Sequence, residues 1–245
     1  MPWLPRLYGV EPVRLTVGVL NRKAGTGKTT SAVWLAHALA ERGPVLLVDA
    51  DPAASALEWS DLAADEGGFP FRVIALPSKQ LHQRLPDIAK PDEFVVIDTP
   101  QTEDHAAISG SVMRIADEIV ITCAPTGIEV NRTTPVMEQI EATSAARLVE
   151  ARVSVLLNRT ITGANSVKNT RSILAELGYE VLAMPIGRSE VYAQSFAAVP
   201  ERSGMEPWRV VVAELLDRAG LATDEDRKAV AAARSLLSRT TKAGT

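Results

Sequence analysis

Leu15-Thr16-Val17-Gly18-Val19-Leu20-Asn21-Arg22-Lys23-Ala24-Gly25-Thr26-Gly27-Lys28-Thr29-Thr30 decides the fold. The run Leu15 to Leu20 reads as a strand. From Thr29 to Arg42 the spacing turns helical: Val33, Ala36, His37 and Ala40 share one face, with Trp34 and Leu35 beside it, and Gly43-Pro44 ends the helix. Between strand and helix lies a glycine-rich loop carrying lysines. Consecutive backbone N–H groups in such a loop, followed by a helix N-terminus, form a cradle for anionic oxygens. The glycines permit the tight path, Lys28 neutralises phosphate charge, and the Thr29 hydroxyl suits Mg²⁺. The segment Ala24, Gly25, Thr26, Gly27, Lys28, Thr29 and Thr30 is therefore expected to grip the β- and γ-phosphates of ATP. Arg22 stands where the usual pattern has glycine, five residues before Gly27, and a second lysine, Lys23, sits at the front of the loop. The plain alternative is a glycine-rich turn with incidental lysines. Two carboxylate-bearing strand ends further on argue against it.

The same alternation continues along the chain. Val45 to Val48, Phe71 to Leu76, Phe94 to Ile97, Ile119 to Thr122 and Val153 to Leu157 read as strands, and Val181 to Met184 is expected to complete the series. Near-continuous apolar runs of this kind suit a sheet covered on both faces. Segments such as Glu129 to Glu150 and Ser166 to Leu177 are long enough for crossover helices. The expectation is an α/β fold of the P-loop NTPase type: a doubly wound, mostly parallel sheet with helices on both faces. It spans residues 1–245 as a single domain, with 1–13 as an N-terminal arm. A polar, turn-rich stretch from Pro200 to Pro207 separates the core from C-terminal helices over 206–245.

Bulk composition sets limits. With 245 residues, of which 46% are hydrophobic, the chain can build a full core without disulfides or metals. A formal net charge of -4 does not advertise nucleic-acid binding, though it leaves room for a local basic patch. One cysteine, Cys123, excludes an internal disulfide and suggests a reducing compartment. No run reaches the ~20 apolar residues that span a bilayer, and the start carries no apolar stretch of signal-peptide length. These features predict a soluble, cytoplasmic protein.

The carboxylates come next. Val45-Leu46-Leu47-Val48-Asp49-Ala50-Asp51-Pro52 places two acids after a buried strand, on the edge where open α/β sheets bind ligands. An aspartate there can orient an attacking water or hold Mg²⁺ through its water shell. The competing reading is helix capping or a turn before Pro52, and it weighs more for Asp49 than for Asp51. Phe94-Val95-Val96-Ile97-Asp98 has the Walker B form, in which the terminal acid supports Mg²⁺. Thr99-Pro100-Gln101 would follow as a switch sensing the γ-phosphate.

Together these motifs, covering about Leu15 to Val199, resemble the ParA/MinD family of deviant Walker A ATPases, and most closely its short plasmid-partition members. Ala124-Pro125-Thr126, Leu156-Leu157-Asn158-Arg159 and the stretch from Met184-Pro185 to Ser195-Phe196 add to the likeness. The resemblance implies a homodimer formed on ATP binding, with two nucleotides sandwiched between subunits and Lys23 reaching across to the partner's phosphates. It implies that Lys28 holds β- and γ-phosphates and Thr29 binds Mg²⁺. Asp51 would act on the hydrolytic water and Asp98 would support the metal. Asn158 would recognise adenine, with Met184 and Pro185 lining the base pocket. It further implies non-specific DNA binding on the nucleoid and a centromere-binding ParB-like adaptor that stimulates hydrolysis. Two departures stand out: Ala24 replaces a usual glycine, and Ala53-Ala54 replaces the Gln-Gly common after Asp-Pro.

Among the weaker signals, the basic residues divide evenly between two readings. Arg227, Lys228, Arg234, Arg239 and Lys242, with Arg188, Arg202 and Arg209 upstream, could contact DNA phosphates or be ordinary solvated charges. The tail is alanine-rich and lacks Trp and Phe, which makes it a poor membrane anchor. Cys123 reads as a buried apolar residue and Trp208 as a core aromatic. The histidines show no metal-ligand spacing. The alternative to a DNA-partition role is a MinD-like or cargo-positioning ATPase acting on a membrane or a protein assembly.

Overall fold

The structure is a computed structural model that describes residues 13–147 and 149–242. Its strands are β1 (Leu15–Leu20), β2 (Val45–Asp49), β3 (Arg72–Ala75), β4 (Phe94–Asp98), β5 (Glu118–Cys123) and β6 (Arg152–Leu157). The helices are α1 (Lys28–Ala40), α2 (Ser55–Leu62), α3 (Leu81–Ile88), α4 (Ala106–Ile115), α5 (Gly127–Ser144), α6 (Asn165–Glu176), the short α7 (Glu190–Ala193), α8 (Met205–Arg218) and α9 (Asp224–Lys242). Every strand pairing is parallel, in the order β3-β2-β4-β1-β5-β6. β1 lies between β4 and β5, where the chain changes the side of the sheet on which it continues. Open α/β sheets bind ligands beyond the carboxyl ends of their strands at such a point.

Alternation within the buried strands feeds two cores. Val17, Val19, Leu47 and Val96 join α1 and α8 on one face. Leu20, Leu46, Val48, Val95 and Ile97 join α3, α4, α5 and α6 on the other. Side chains of opposite parity thus meet helices on opposite faces, which is what doubly wound means physically.

Three expectations change. α1 is not amphipathic: residues Ser31 to Leu39 are all buried, because α8 covers the face turned away from the sheet. α8 therefore belongs to the core and is not separated from it by the polar stretch from Pro200 to Pro207; Trp208, Val211, Val212, Leu215 and Leu216 pack in the cluster that holds α1. Pro207 falls in its first turn, where a missing N–H costs no helical bond. Gly204, just before it, is pressed so close to Trp34 that a Cβ would lie 2.6 Å from the indole ring.

Val181 to Met184 does not form a strand. It touches β6 through a single bridge, Val155 to Val181. The reason is competition for its backbone groups. The Arg171 guanidinium donates to the carbonyls of Val181, Leu182 and Ala183 at 3.1, 2.7 and 3.3 Å, and the Ala183 N–H donates to the buried Glu214 carboxylate at 2.7 Å. Side chains have taken the groups a ladder needs. Of the N-terminal arm expected over 1–13, all but Val13 lies outside the described residues.

His37 is buried in α1, edge-on to Phe69 and Phe71, and its Nδ1–H donates to the Val33 carbonyl at 2.9 Å. Burial pushes its pKa down to about 4. Between the unfolded value near 6.5 and about 4, the unfolded chain binds more protons, so this residue's contribution to stability is lost as pH falls. Wild type should lose about 2.5 kcal/mol relative to His37→Phe between pH 7 and pH 4.5. Urea unfolding midpoints at the two pH values measure this, and parallel pH dependence of the two proteins would refute it.

Candidate functional site

The loop leaving β1 is shaped by two glycines in the left-handed region, Gly25 (φ 71) and Gly27 (φ 85). Ala24 is not among the positive-φ residues, so its methyl group costs the loop no backbone strain. Gly27 is doubly required, since a Cβ there would lie 2.7 Å from Asn158 Nδ2. Asn21 fastens the entrance: its Oδ1 accepts the Lys23 N–H at 3.0 Å while its amide donates to the Thr122 carbonyl on β5. The Thr26 side chain is buried, bonded to the Thr122 hydroxyl and the Lys23 carbonyl, both at 3.4 Å.

A cavity of about 720 Å³ opens over this loop, within the size range of small-molecule and cofactor sites. Ala24, Gly25, Gly27, Lys28, Thr29 and Thr30 form its floor. Asp51, Pro52, Ala53, Ser55, Gln101 and His105 form one side. Asn158, Arg159, Gly187, Arg188, Ser189, Tyr192 and Ala193 form the other.

The buried charges beneath it tell what it could hold. Lys28 is buried with Nζ 3.0 Å from the Lys23 carbonyl. Burial pushes its pKa down, opposed by the charges of Asp98 and Asp51. Asp98 is fully buried at the end of β4, and neither carboxylate oxygen has a hydrogen-bond partner. Burial first, and repulsion from Asp49 and Asp51 after it, push its pKa up to about 7, with Thr29 and Lys28 pulling the other way. A buried carboxylate without donors is costly, and a cation beside Thr29 is what these atoms fit. A Mg²⁺ ion together with an anionic phosphate chain therefore suits the residues present.

The two aspartates after β2 separate cleanly. Asp49 accepts N–H groups from Asp51, Ala56 and Leu57 and so caps α2. Asp51 bonds the Ala53 N–H at 3.0 Å and lines the cavity.

Lys23 is not among the lining residues; its ammonium is ion-paired with Glu103, which also lies 3.5 Å from Arg22. Asn158 lines the cavity, but its amide is tied locally: Nδ2 donates to Ser31 Oγ at 3.3 Å and Oδ1 accepts the Arg159 N–H at 2.8 Å. Met184 and Pro185 do not line it; Met184 packs against the core, and the wall begins at Gly187.

Sequence reading gave no role to Arg159, Ser189 and Tyr192, considered Arg188 only for DNA phosphates, and saw in His105 no more than a structural or surface residue. Arg159 adopts a left-handed backbone (φ 53) and its guanidinium donates to the Gly25 carbonyl. Its adjacency to Asn158 was the available signal. Arg188, Ser189 and Tyr192 arrive through the non-strand path after Met184, which no periodicity announces, and His105 from the turn before α4.

Among the basic residues considered for DNA, Arg227 pairs with Asp217 and Asp224, Arg234 with Glu214, and Arg209 with Glu41 and Glu206. Lys228 is exposed. The side chains of Arg239 and Lys242 lie outside the described residues. No helix among the described residues is long and apolar enough to cross a membrane. Cys123 is buried, and burial pushes its thiol up to about 11, which leaves it unreactive.

Comparison with known proteins gives four findings. The pattern describing the CobQ/CobB/MinD/ParA nucleotide binding domain matches residues 17–198. The maintenance of carboxysome distribution protein A of Halothiobacillus neapolitanus is 30% identical over 178 residues, covering 72% of this chain and 81% of that protein. Its counterpart from Gloeobacter kilaueensis is 41% identical over 113 residues, covering 46% of this chain and half of that protein. In fold, the ATP complex of a Cyanothece McdA variant superposes with a TM-score of 0.68 at 16% identity, covering 86% of this chain and 98% of that one.

The loop geometry yields a paired expectation. Gly27→Ala should abolish binding of a fluorescent ATP analogue, because both φ and the Asn158 contact forbid the methyl group. Ala24→Gly should change the Kd by less than about threefold, since Ala24 already has an ordinary φ. Equal effects of the two substitutions would contradict the geometry.

Proposed function

Because the chain belongs to the CobQ/CobB/MinD/ParA nucleotide-binding family and is an ATPase of its ParA/MinD kind, we propose that it spends ATP hydrolysis on positioning a large protein assembly. The observation that carries this reading is the 30% identity, over 81% of its length, to a protein that maintains carboxysome distribution. The surface chemistry supports it over DNA partition: Arg209, Arg227 and Arg234 are already paired with acids of the same chain, and net charge is -4. Non-specific DNA binding needs such cations free to displace counterions from phosphates. The stimulating partner is then an adaptor carried by the assembly and not a centromere-binding one.

In the proposed mechanism the N–H groups of the loop from Ala24 to Thr30 hold phosphate oxygens, and Lys28 leaves the Lys23 carbonyl to neutralise the β- and γ-phosphates. Thr29 and Asp98, with Asp51 acting through water, would hold a Mg²⁺ ion, which would supply charge neutralisation to the phosphate oxygens. Asp51 orients the water that attacks the γ-phosphorus, and its free carboxylate edge on the cavity suits that task. Asn158 and the wall from Gly187 to Ser189 receive the base. Lys23 reaches the partner subunit's nucleotide once it leaves Glu103, which makes the switch segment after β4 a counterweight to dimer formation. Exposed ion pairs are weak, so Glu103→Gln should tighten ATP-dependent dimerisation only modestly. Light scattering with ATP measures that, and weaker dimerisation would contradict it.

The functional test has two parts. Asp51→Ala should lower ATP turnover by about 100-fold or more while leaving ATP bound, and so accumulate the ATP dimer. Deleting the gene in its host should cluster or mislocalise a large protein assembly while plasmid retention stays normal. Plasmid loss with all assemblies evenly placed would replace this reading with DNA partition.

A further inference from the structure

Asp49 is a buried carboxylate that the proposed mechanism leaves unused. Its side chain is fully enclosed, and both oxygens are occupied by backbone donors. Oδ1 accepts the Asp51 N–H at 3.0 Å, and Oδ2 accepts the N–H groups of Ala56 and Leu57 at 2.8 and 3.0 Å. Those donors lie on both sides of the turn that begins at Asp51. One carboxylate thus clamps the two ends of the segment that carries Asp51.

The clamp shapes that segment. Ala54 N–H closes back on the Asp51 carbonyl at 2.9 Å, and Ala53 N–H bonds the Asp51 side chain. Ala54 itself is held at φ 53, a conformation an alanine adopts only when its surroundings impose it. On the opposite side Asp49 is the register partner of Asp98 in the β2–β4 ladder. The clamp is therefore mounted on a strand paired on both sides, beside the other carboxylate of the site. A carboxylate accepting several N–H bonds in a buried position is a strong, short-range anchor.

We propose that Asp49 is a positioning residue for hydrolysis: it fixes the Asp51 turn against the cavity, and so governs turnover without governing nucleotide affinity. This rests on the reading of Asp51 as the residue that orients the attacking water. Displacements near 1 Å in a site of this kind can lower rates by about 100-fold, so the predicted effect is large.

The experiment is a double-mutant cycle with a structural readout. Asp49→Asn keeps size but faces at least one N–H donor with its own amide. It should bind ADP within about threefold of wild type, keep KM for ATP, and lose about 10- to 100-fold in kcat. The Asp49→Asn, Asp51→Ala double variant should be no slower than Asp51→Ala alone. Amide exchange at Asp51, Ala56 and Leu57 should accelerate in Asp49→Asn while exchange in β1 and β4 does not. Asp49→Ser is the second variant should Asp49→Asn not fold. Unchanged kcat with accelerated exchange overturns the proposal, and so does a double variant slower than Asp51→Ala alone. Wild-type turnover in Asp51→Ala instead sinks the reading of Asp51, while the exchange result still reports whether Asp49 holds the turn.

Discussion

Burying charge is costly, and this protein buries three charges within one edge of its sheet: Asp49, Asp98 and Lys28. Each meets the desolvation cost differently. Asp49 takes three backbone N–H groups. Lys28 takes a loop carbonyl and the field of two carboxylates. Asp98 makes no regular hydrogen bond, and only the Thr29 hydroxyl and the Lys28 charge offset its burial. That inequality gives the site its chemistry, because the unsatisfied carboxylate is where a cation gains most and the shared lysine is where an anion does. The rest of the architecture keeps these groups adjacent and away from bulk water.

The sheet can do this because its strands are covered on both faces and open only at their ends. β1, β2 and β4 run in register, so Val19, Asp49 and Asp98 sit level at one edge. The glycine-rich loop begins two residues later, where the central strand ends at Leu20. Left-handed Gly25 and Gly27 fold it back over the edge, and Asn158, just after β6, fills the space where a Gly27 side chain would stand.

The far wall is held from the other end of the chain. Trp34 on α1 donates to Ser195 at 3.2 Å, and Tyr192 donates to the Gly204 carbonyl at 2.8 Å while standing edge-on to Trp34 and Trp208. Trp59 on α2 donates to the Ala198 carbonyl at 2.8 Å. These indole and phenol contacts fasten the segment from Gly187 to Ala198 onto the helices that follow the loop and Asp51. Because large aromatics bury the most area per residue, this wall is tied into the core despite having almost no regular structure of its own.

The sequence alone determined the parallel sheet, the loop and the two acidic strand ends. Those features are local: a run of apolar residues, a glycine pattern and an aspartate at a strand's last residue are all readable within a few positions. It left Asp49 and Asp51 differing only in degree, because capping is a contact with a backbone seven and eight residues on, and its geometry depends on how the turn closes. It anticipated a strand at Val181 to Met184 from intrinsic preference, where Arg171 and Glu214 capture the backbone. It marked Met184 and Pro185 for a cavity whose wall is built from Gly187 onward. Tertiary structure decided these points, since each depends on which side chain from elsewhere in the chain reaches a given backbone group first. It also decided that Arg209 faces Glu41, Arg227 faces Asp217 and Arg234 faces Glu214, pairings that sequence spacing does not contain.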